Sequence, residues 1–480
     1  MSSSSSSPSS ESHTGTGTGT KADPARLAAF DVLMIAEQKL RWRNLRLDKV
    51  MNELRAEYQG KYGPQWGGQE NSLFHMLVTG VVRHWWQLEW IMDRMTDRDI
   101  KHLSAPLKTL LRLGLFQLLH LTEIPDFAAV HSTVNLAQQR KLSKKTVGFV
   151  NAVLRNVQRQ CDANESAPGT FPFPDTEEDP YGYLMSAQAL PRWWARRLQD
   201  QFELDTIIQF ATAQRQPVPL SIRVNTLKKD IPSALKALTD ASIPYHQHKR
   251  IPELITLDDF HGQPHTLPGF AEGWLYVQDT SSAMVAPYLN PVAGETVIDL
   301  CAAPGSKTSH IAALMENTGT LIACDNKPKR LEMLKENMTR LGVNTLDFCT
   351  VEQRNAKDLK QLSDWTGIAD KVLVDVPCSG LGTVRKHPEI LLNLREKDLT
   401  TFPEEQQQIL THALTLAKAG GTVVYSTCSI DPNENQAVVD AVLSQHPNWT
   451  KLDEQTILTY ATETTHGDGF YMARLQHHSS

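Results

Sequence analysis

The sequence predicts a multidomain chain: an all-α N-terminal domain, a small α/β subdomain, and a C-terminal doubly wound α/β domain. Three observations carry that expectation. Apolar residues recur at helical spacing through the first third. Short β-branched runs alternate with amphipathic segments beyond Trp274. A Pro/Asp/Glu-rich stretch over residues 162–180 separates the two patterns. With 480 residues, 40% hydrophobic and 21% charged, the composition suits about three ordinary globular domains.

Residues 1–22 form a Ser/Thr/Gly tail with almost nothing to bury, so disorder is expected there. The tail has neither the apolar core of a secretory signal nor the arginines of a transit peptide. Residues 23–161 read as the helical domain. Asp23-Pro24 supplies a cap and a first-turn proline for a helix through Arg26–Leu33. Leu107–Leu121 is a strongly apolar helix suited to a bundle centre, and Gly114 on one face permits close helix approach. Val130–Gln138 and Val147–Val157 are further helices.

The small α/β subdomain is expected over 181–272. Pro191–Arg197 opens a helix, Pro219–Asn225 is a strand, Ile231–Asp240 a helix and Leu254–Leu257 a second strand. Residues 273–478 carry the doubly wound sheet. Its candidate parallel strands are Thr296–Leu300, Thr320–Cys324, Leu346–Cys349, Lys371–Val374 and Thr422–Tyr425. Gly469–Leu475 is expected as an edge strand.

The net charge of −6 hides an asymmetry: residues 21–165 carry +6 and the remainder −12. A basic helical third is compatible with nucleic-acid contact, and equally with a solvated helical surface. Six cysteines without a CxxC pair make neither a disulfide framework nor a zinc site, and no metal is expected. They fit a reducing cytoplasm. No apolar run approaches the ~20 residues of a membrane span.

Two segments carry the chemistry: Asp375-Val-Pro-Cys378-Ser-Gly380 and Tyr425-Ser-Thr-Cys428-Ser429. Each follows a β-branched run, so each presents a cysteine at the C-terminal end of a buried strand, where open α/β sheets hold their ligands. Two thiols so placed can serve one reaction, adding to a pyrimidine ring and then leaving it. A third segment, Asp299–Thr308, leaves a strand and enters a helix, aiming free N–H groups at a ligand. It lacks the glycines of a phosphate loop and the G-x-G-x-x-G dinucleotide fingerprint. Asp325 ends the next strand, where a carboxylate suits a ribose diol or caps the following helix. A neutral loop plus a ribose-reading acid fits S-adenosylmethionine, which has no phosphates.

These three motifs resemble those of the RNA cytosine-5 methyltransferases, most closely the bacterial RsmB (Sun/Fmu) family. The likeness covers nearly everything after the Ser-rich tail. Leu111–Leu118 and Phe149–Arg155 resemble the NusB-like RNA-binding domain of that family. Leu267–Phe270, Trp274, Gln278-Asp279 and Arg385–Glu389 also match its pattern. The resemblance implies a Rossmann-like methyltransferase domain acting as a monomer on 16S ribosomal RNA, at cytosine 967. It assigns nucleophilic attack to Cys428 and product release to Cys378, with Asp375 and Lys307 beside the base. It places Cys301, Ala302, Ala303, Pro304, Gly305, Ser306 and Lys307 around the cofactor, with Asp325, Asn355 and Asp375 completing the site. Ser306 stands where the family has a second glycine, and Asn355 where it has an aspartate, so somewhat weaker cofactor binding is expected. Asp358 is a substitute carboxylate at a different spacing. The alternatives are a cytosine-5 methyltransferase of another ribosomal or transfer RNA site, and a non-catalytic RNA-binding assembly factor. An amino-methyltransferase is disfavoured because Pro377-Cys378 lacks the aromatic its motif needs.

Overall fold

The computed structural model describes residues 23–39, 45–96, 99–165, 167, 169–216, 218–258, 260, 262–459 and 467–478. The tail over 1–22 lies outside them. The chain divides into two compact units: residues up to Lys39 with Asp48–Phe173, and Leu40–Leu47 with Pro174 onward.

The first unit is helical: α1 (Pro24–Lys39), α2 (Leu47–Tyr62), α3 (Gly68–Arg83), α4 (Trp85–Met95), α5 (Ala105–His120), α6 (Asp126–Gln139) and α7 (Lys144–Asp162). The Asp23 carboxylate accepts from the Arg26 N–H at 2.8 Å, so the N-terminal cap forms as its sequence predicts. In α5 every residue from Thr109 to Gln117 is buried, which makes it the centre of the unit. A Cβ at Gly114 would lie 2.7 Å from Leu154, so the glycine does allow close approach of α7. Among the described residues no helix is long and apolar enough to cross a membrane.

The second unit holds two sheets. The smaller comprises β1 (Leu220–Val224), β2 (Tyr245–Gln247), β3 (Leu254–Leu257) and β4 (Leu275–Val277) in the order β2-β3-β1-β4, all antiparallel. The larger comprises β5 (Thr296–Asp299), β6 (Thr320–Asp325), β7 (Cys349–Gln353), β8 (Ala369–Asp375), β9 (Ala417–Thr427), β10 (Trp449–Ile457) and β11 (Phe470–His477). Its order is β10-β11-β9-β8-β5-β6-β7. The run from β9 to β7 is parallel, and β10 and β11 close it antiparallel.

Two strand expectations are corrected. The third parallel strand begins at Cys349, because Leu346 is 91% exposed and belongs to the preceding turn. The last strand is interior, paired with β9 on one side and β10 on the other. The expectation missed β10 because its inward residues are not apolar enough to show a strand pattern. The small sheet is keyed to the large one: Arg223 donates to Ser309 Oγ at 2.9 Å, and Asn225 to the Leu341 carbonyl at 2.7 Å.

Candidate active site

Parallel pairing of β8 with β9 sets Asp375 opposite Ser426. The two chains then leave the sheet side by side, and the Val376 N–H donates to the Ser426 carbonyl at 3.1 Å. Three residues beyond Asp375 and two beyond Ser426 stand the cysteines. Their sulfurs are 3.3 Å apart. The other four cysteines are also free thiols.

Asp375 is fixed from both sides. Its Oδ2 accepts from Lys307 Nζ at 2.8 Å and its Oδ1 from the Ser426 hydroxyl at 2.8 Å. Lys307 comes from the first turn of the helix Ser306–Leu314 and lies over the Phe470 ring. Burial opposes its charge, but Asp375 outweighs burial and holds the ammonium above its ordinary pKa. The Cys378 thiol is pushed well up by its hydrogen bond to Cys428, by burial, and by the charges of Cys428 and Glu434.

A cavity of about 230 Å³ opens beside these groups. Of the residues singled out from the sequence, Cys301, Asp325, Asn355, Asp375, Cys378 and Cys428 line it. Asp325 ends β6 and Asp375 ends β8, two strand spacings away, so the two carboxylates stand roughly 10 Å apart. Leu300 and Ile409 give the wall an apolar stretch suited to a flat ring between them. Burial raises the pKa of the Cys301 thiol well above its ordinary value.

Ala302, Ala303, Pro304, Gly305 and Ser306 are not brought to that wall. Two of their carbonyls are held by the helix Pro328–Leu341. Arg330 donates to the Ala303 carbonyl and pairs with Asp325 at 3.0 Å, while Asn337 donates to the Pro304 carbonyl at 2.9 Å. Gly305 has φ +105°, and a Cβ there would meet Leu334 and Met338 at 2.7 Å. The glycine is needed for both conformation and space. Asp299 anchors the start of the loop, accepting from the Thr308 hydroxyl at 2.7 Å, and burial pushes its pKa up to about 7.

Asp325 caps as well as lines, since its Oδ1 accepts from the Lys327 N–H at 3.0 Å. Asn355 uses one lone pair of its oxygen on the Lys357 N–H at 3.1 Å, leaving the other free for a ligand. Asp358 is no substitute for the missing aspartate. It is off the wall, capping Leu359–Leu362 and bonding Gln361 at 2.9 Å.

The sequence reading missed Glu434, Ser426 and Arg330. Glu434 sits in a polar run that looks solvated until the fold buries it, Ser426 is a strand residue of a motif read for its cysteine, and Arg330 stays partly exposed, so spacing gives no signal for any of them.

Comparison with known proteins agrees across the chain. Residues 286–476 match the family model described as 16S rRNA methyltransferase RsmB/F. Residues 23–159 match the NusB family, and residues 190–262 the ferredoxin-like domain of RsmF/B-like methyltransferases. A probable ribosomal RNA small subunit methyltransferase B from Synechocystis is 33% identical over 415 residues, covering 83% of this chain and 90% of the relative. The ribosomal RNA small subunit methyltransferase B of Salmonella arizonae is 33% identical, covering 85% and 90%. The crystal structure of PH0851 superposes with a TM-score of 0.72 at 22% identity, over 94% of this chain and 98% of that one, a likeness of fold.

Proposed function

Because the chain belongs to the RsmB/F family of 16S rRNA methyltransferases, with S-adenosylmethionine as methyl donor, we propose that it methylates C5 of a cytosine in 16S ribosomal RNA, at position 967, through a covalent adduct at C6. The observation that carries this reading is the pair of thiols 3.3 Å apart on the wall of a cavity that also holds Asp325 and Asp375. Methylation of an exocyclic amine or a ribose hydroxyl needs no thiol. C5 of cytosine does, because that carbon is a poor nucleophile.

Cys428 attacks C6, and the ring becomes enamine-like with nucleophilic character at C5. S-adenosylmethionine supplies the electrophilic methyl group when bound. Asp375, held by Lys307 and Ser426, accepts from the base's amino group and fixes the ring in the plane the attack requires. The buried Lys307 ammonium offsets the negative charge driven into the ring. Cys378 then passes its proton to the departing Cys428 sulfur and, as the thiolate so formed, takes the C5 proton, so that the C6–S bond breaks as the C5–C6 double bond returns and both thiols are restored. Asp325 accepts from the ribose hydroxyls, Asn355 from the adenine amino group, and Cys301 lines the cofactor end, with the loop that follows it holding it there. The target base enters flipped or already unpaired. The basic helical unit, as part of a cytoplasmic monomer, places the RNA through phosphate contacts.

Bisulfite mapping of ribosomal RNA from cells with and without the protein tests this. A 5-methylcytosine at 967 that disappears with the protein is the expected result. An unchanged map, with loss of methylation on an adenine or a ribose, would overturn it. Loss of 5-methylcytosine elsewhere in ribosomal or transfer RNA would keep the chemistry and reassign the target.

A further inference from the structure

Glu434 lies in the polar run Asp431-Pro-Asn-Glu434-Asn435 just after the second cysteine turn, yet its accessible surface is 0%. A buried carboxylate is costly unless its lone pairs are used. Its described hydrogen-bond partners are four neutral donors. They are the Ser379 N–H at 2.8 Å, the Ser379 hydroxyl, the Ser429 hydroxyl at 2.7 Å and the Gln406 amide at 3.0 Å. Four donors fill the roughly four acceptor sites that a carboxylate offers.

The identity of those donors matters more than their number. Ser379 directly follows Cys378, and Ser429 directly follows Cys428. The two hydroxyls are 3.2 Å apart, mirroring the sulfurs one residue earlier. Gln406 also donates to the Pro377 carbonyl at 3.1 Å, so it holds the residue before Cys378 as well. Glu434 is itself fastened to β9, because its carbonyl accepts from the Tyr425 hydroxyl at 2.6 Å. Its neighbour Asn435 accepts from Thr427 at 2.6 Å and donates to the Ser429 carbonyl at 3.0 Å. Glu434 is absent from the cavity wall and touches neither sulfur by hydrogen bond.

We propose that Glu434 is a positioning residue for the thiol pair: its one carboxylate clamps the turn after β8 to the turn after β9 and thereby sets the distance between Cys378 and Cys428. The proposal rests on the reading that both thiols serve one reaction. Attack by one sulfur and release assisted by the other on the same ring require a fixed separation, and beside the direct Ser379–Ser429 hydroxyl contact the Glu434 carboxylate bonds to both turns at once. The negative charge has a second effect. It opposes ionisation of Cys378 and so helps keep the proton on the releasing thiol.

The test uses the full chain and two readouts. The first is independent of activity. Diamide takes two electrons and two protons from a pair of adjacent thiols, becoming its hydrazine as one S–S bond forms. Peptide mapping by mass spectrometry follows Cys378–Cys428 closure with time. The parent protein is expected to close that bond readily, and Glu434→Gln at least about tenfold more slowly, since a displaced partner loses its proximity advantage. Glutamine keeps the volume but cannot accept from both serine hydroxyls and both N–H donors at once. Ser379→Ala and Ser429→Ala each remove one arm of the clamp and are expected to give smaller losses of the same sign. They carry the test should Glu434→Gln fail to fold. The second readout is kinetic. For Glu434→Gln, kcat falls about 100-fold, while KM for S-adenosylmethionine stays as in the parent. Unchanged closure rates in all three variants would overturn the clamp, as would a loss of cofactor affinity parallel to the loss of kcat. Slowed closure in a protein that proves not to methylate cytosine would leave the clamp standing and sink the function proposed above.

Discussion

The centre of the helical unit and the ends of the sheet strands bury charge in opposite ways. In α5, Arg112 is 1% exposed, pairs with Glu37 at 2.8 Å and with Glu89, and stacks its guanidinium over the Trp85 ring. Glu37 is drawn below the usual glutamate pKa: burial works against its charge, but Arg112 and Lys108 outweigh it. That ion cluster uses its charges on one another. At the strand ends, Lys307, Asp375 and Glu434 are as tightly held, yet they stand beside a cavity on whose wall Asp375 and two thiols remain presented. Buried charge by itself therefore marks no site. Buried charge that fixes groups on an open wall does. The contrast predicts that changes at the strand ends alter chemistry with little loss of stability, and that changes in α5 do the reverse.

Cys428→Ala is the largest test. Removing the sulfur proposed to attack should lower methyl transfer at least about 10³-fold and abolish the covalent RNA adduct, with the melting temperature nearly unchanged. Transfer of a labelled methyl group and denaturing gels of the enzyme–RNA mixture measure both. Cys378→Ala comes next and differs in kind. Attack proceeds but release is slow, so a denaturation-resistant protein–RNA complex should accumulate while turnover falls. An adduct in Cys428→Ala but not in Cys378→Ala would exchange the two roles.

How far the sequence revealed each region follows from the same contrast. The α5 stripe, the Asp23 cap and the β-branched strands were legible because burial of an apolar face imposes a period on the residues that form it. The two cysteine turns were legible because a reactive residue type stood at a strand end. Glu434 was not, since a carboxylate in a polar turn reads as solvated, and only parallel pairing of β8 with β9 brings the two turns over it. Strand β11 looked like an edge for a related reason. Its central place depends on β10, whose sequence Trp449–Ile457 is mostly polar. The turn at Leu346 was read as strand because an apolar residue was equated with a buried one.

Asp325→Ala probes the far end of the cavity. On the proposed ribose contact, loss of the carboxylate should weaken S-adenosylmethionine binding by about 1–3 kcal/mol, read by calorimetry. Part of any effect will come through Arg330, which loses its ion pair and with it a constraint on the Ala303 carbonyl. Arg330→Met separates the two contributions. It leaves the carboxylate in place and should cost less affinity than Asp325→Ala. Equal losses would mean that Asp325 acts by holding the loop and not by touching the ligand.

The smallest expected effect is Gly114→Ala, on the helical side of the comparison. The added methyl group would meet Leu154 Cδ1 at 2.7 Å and Cδ2 at 2.9 Å, with Thr133 at 3.1 Å behind it. Both leucine atoms are the free end of a side chain, so a rotamer change can absorb part of the clash. Thr133 has less freedom, because its hydroxyl donates to the Ala129 carbonyl at 2.8 Å. Overpacking of this sort costs about 1–3 kcal/mol, and alanine recovers up to about 1 kcal/mol through its better helix propensity. The net expectation is a loss of about 1 kcal/mol in chemical denaturation, at the low end of that overpacking range. Cofactor affinity and the rate of Cys378–Cys428 closure should not change. If Gly114→Ala lowered cofactor affinity as much as Asp325→Ala does, the division between a unit that is only packed and a unit that is armed would fail.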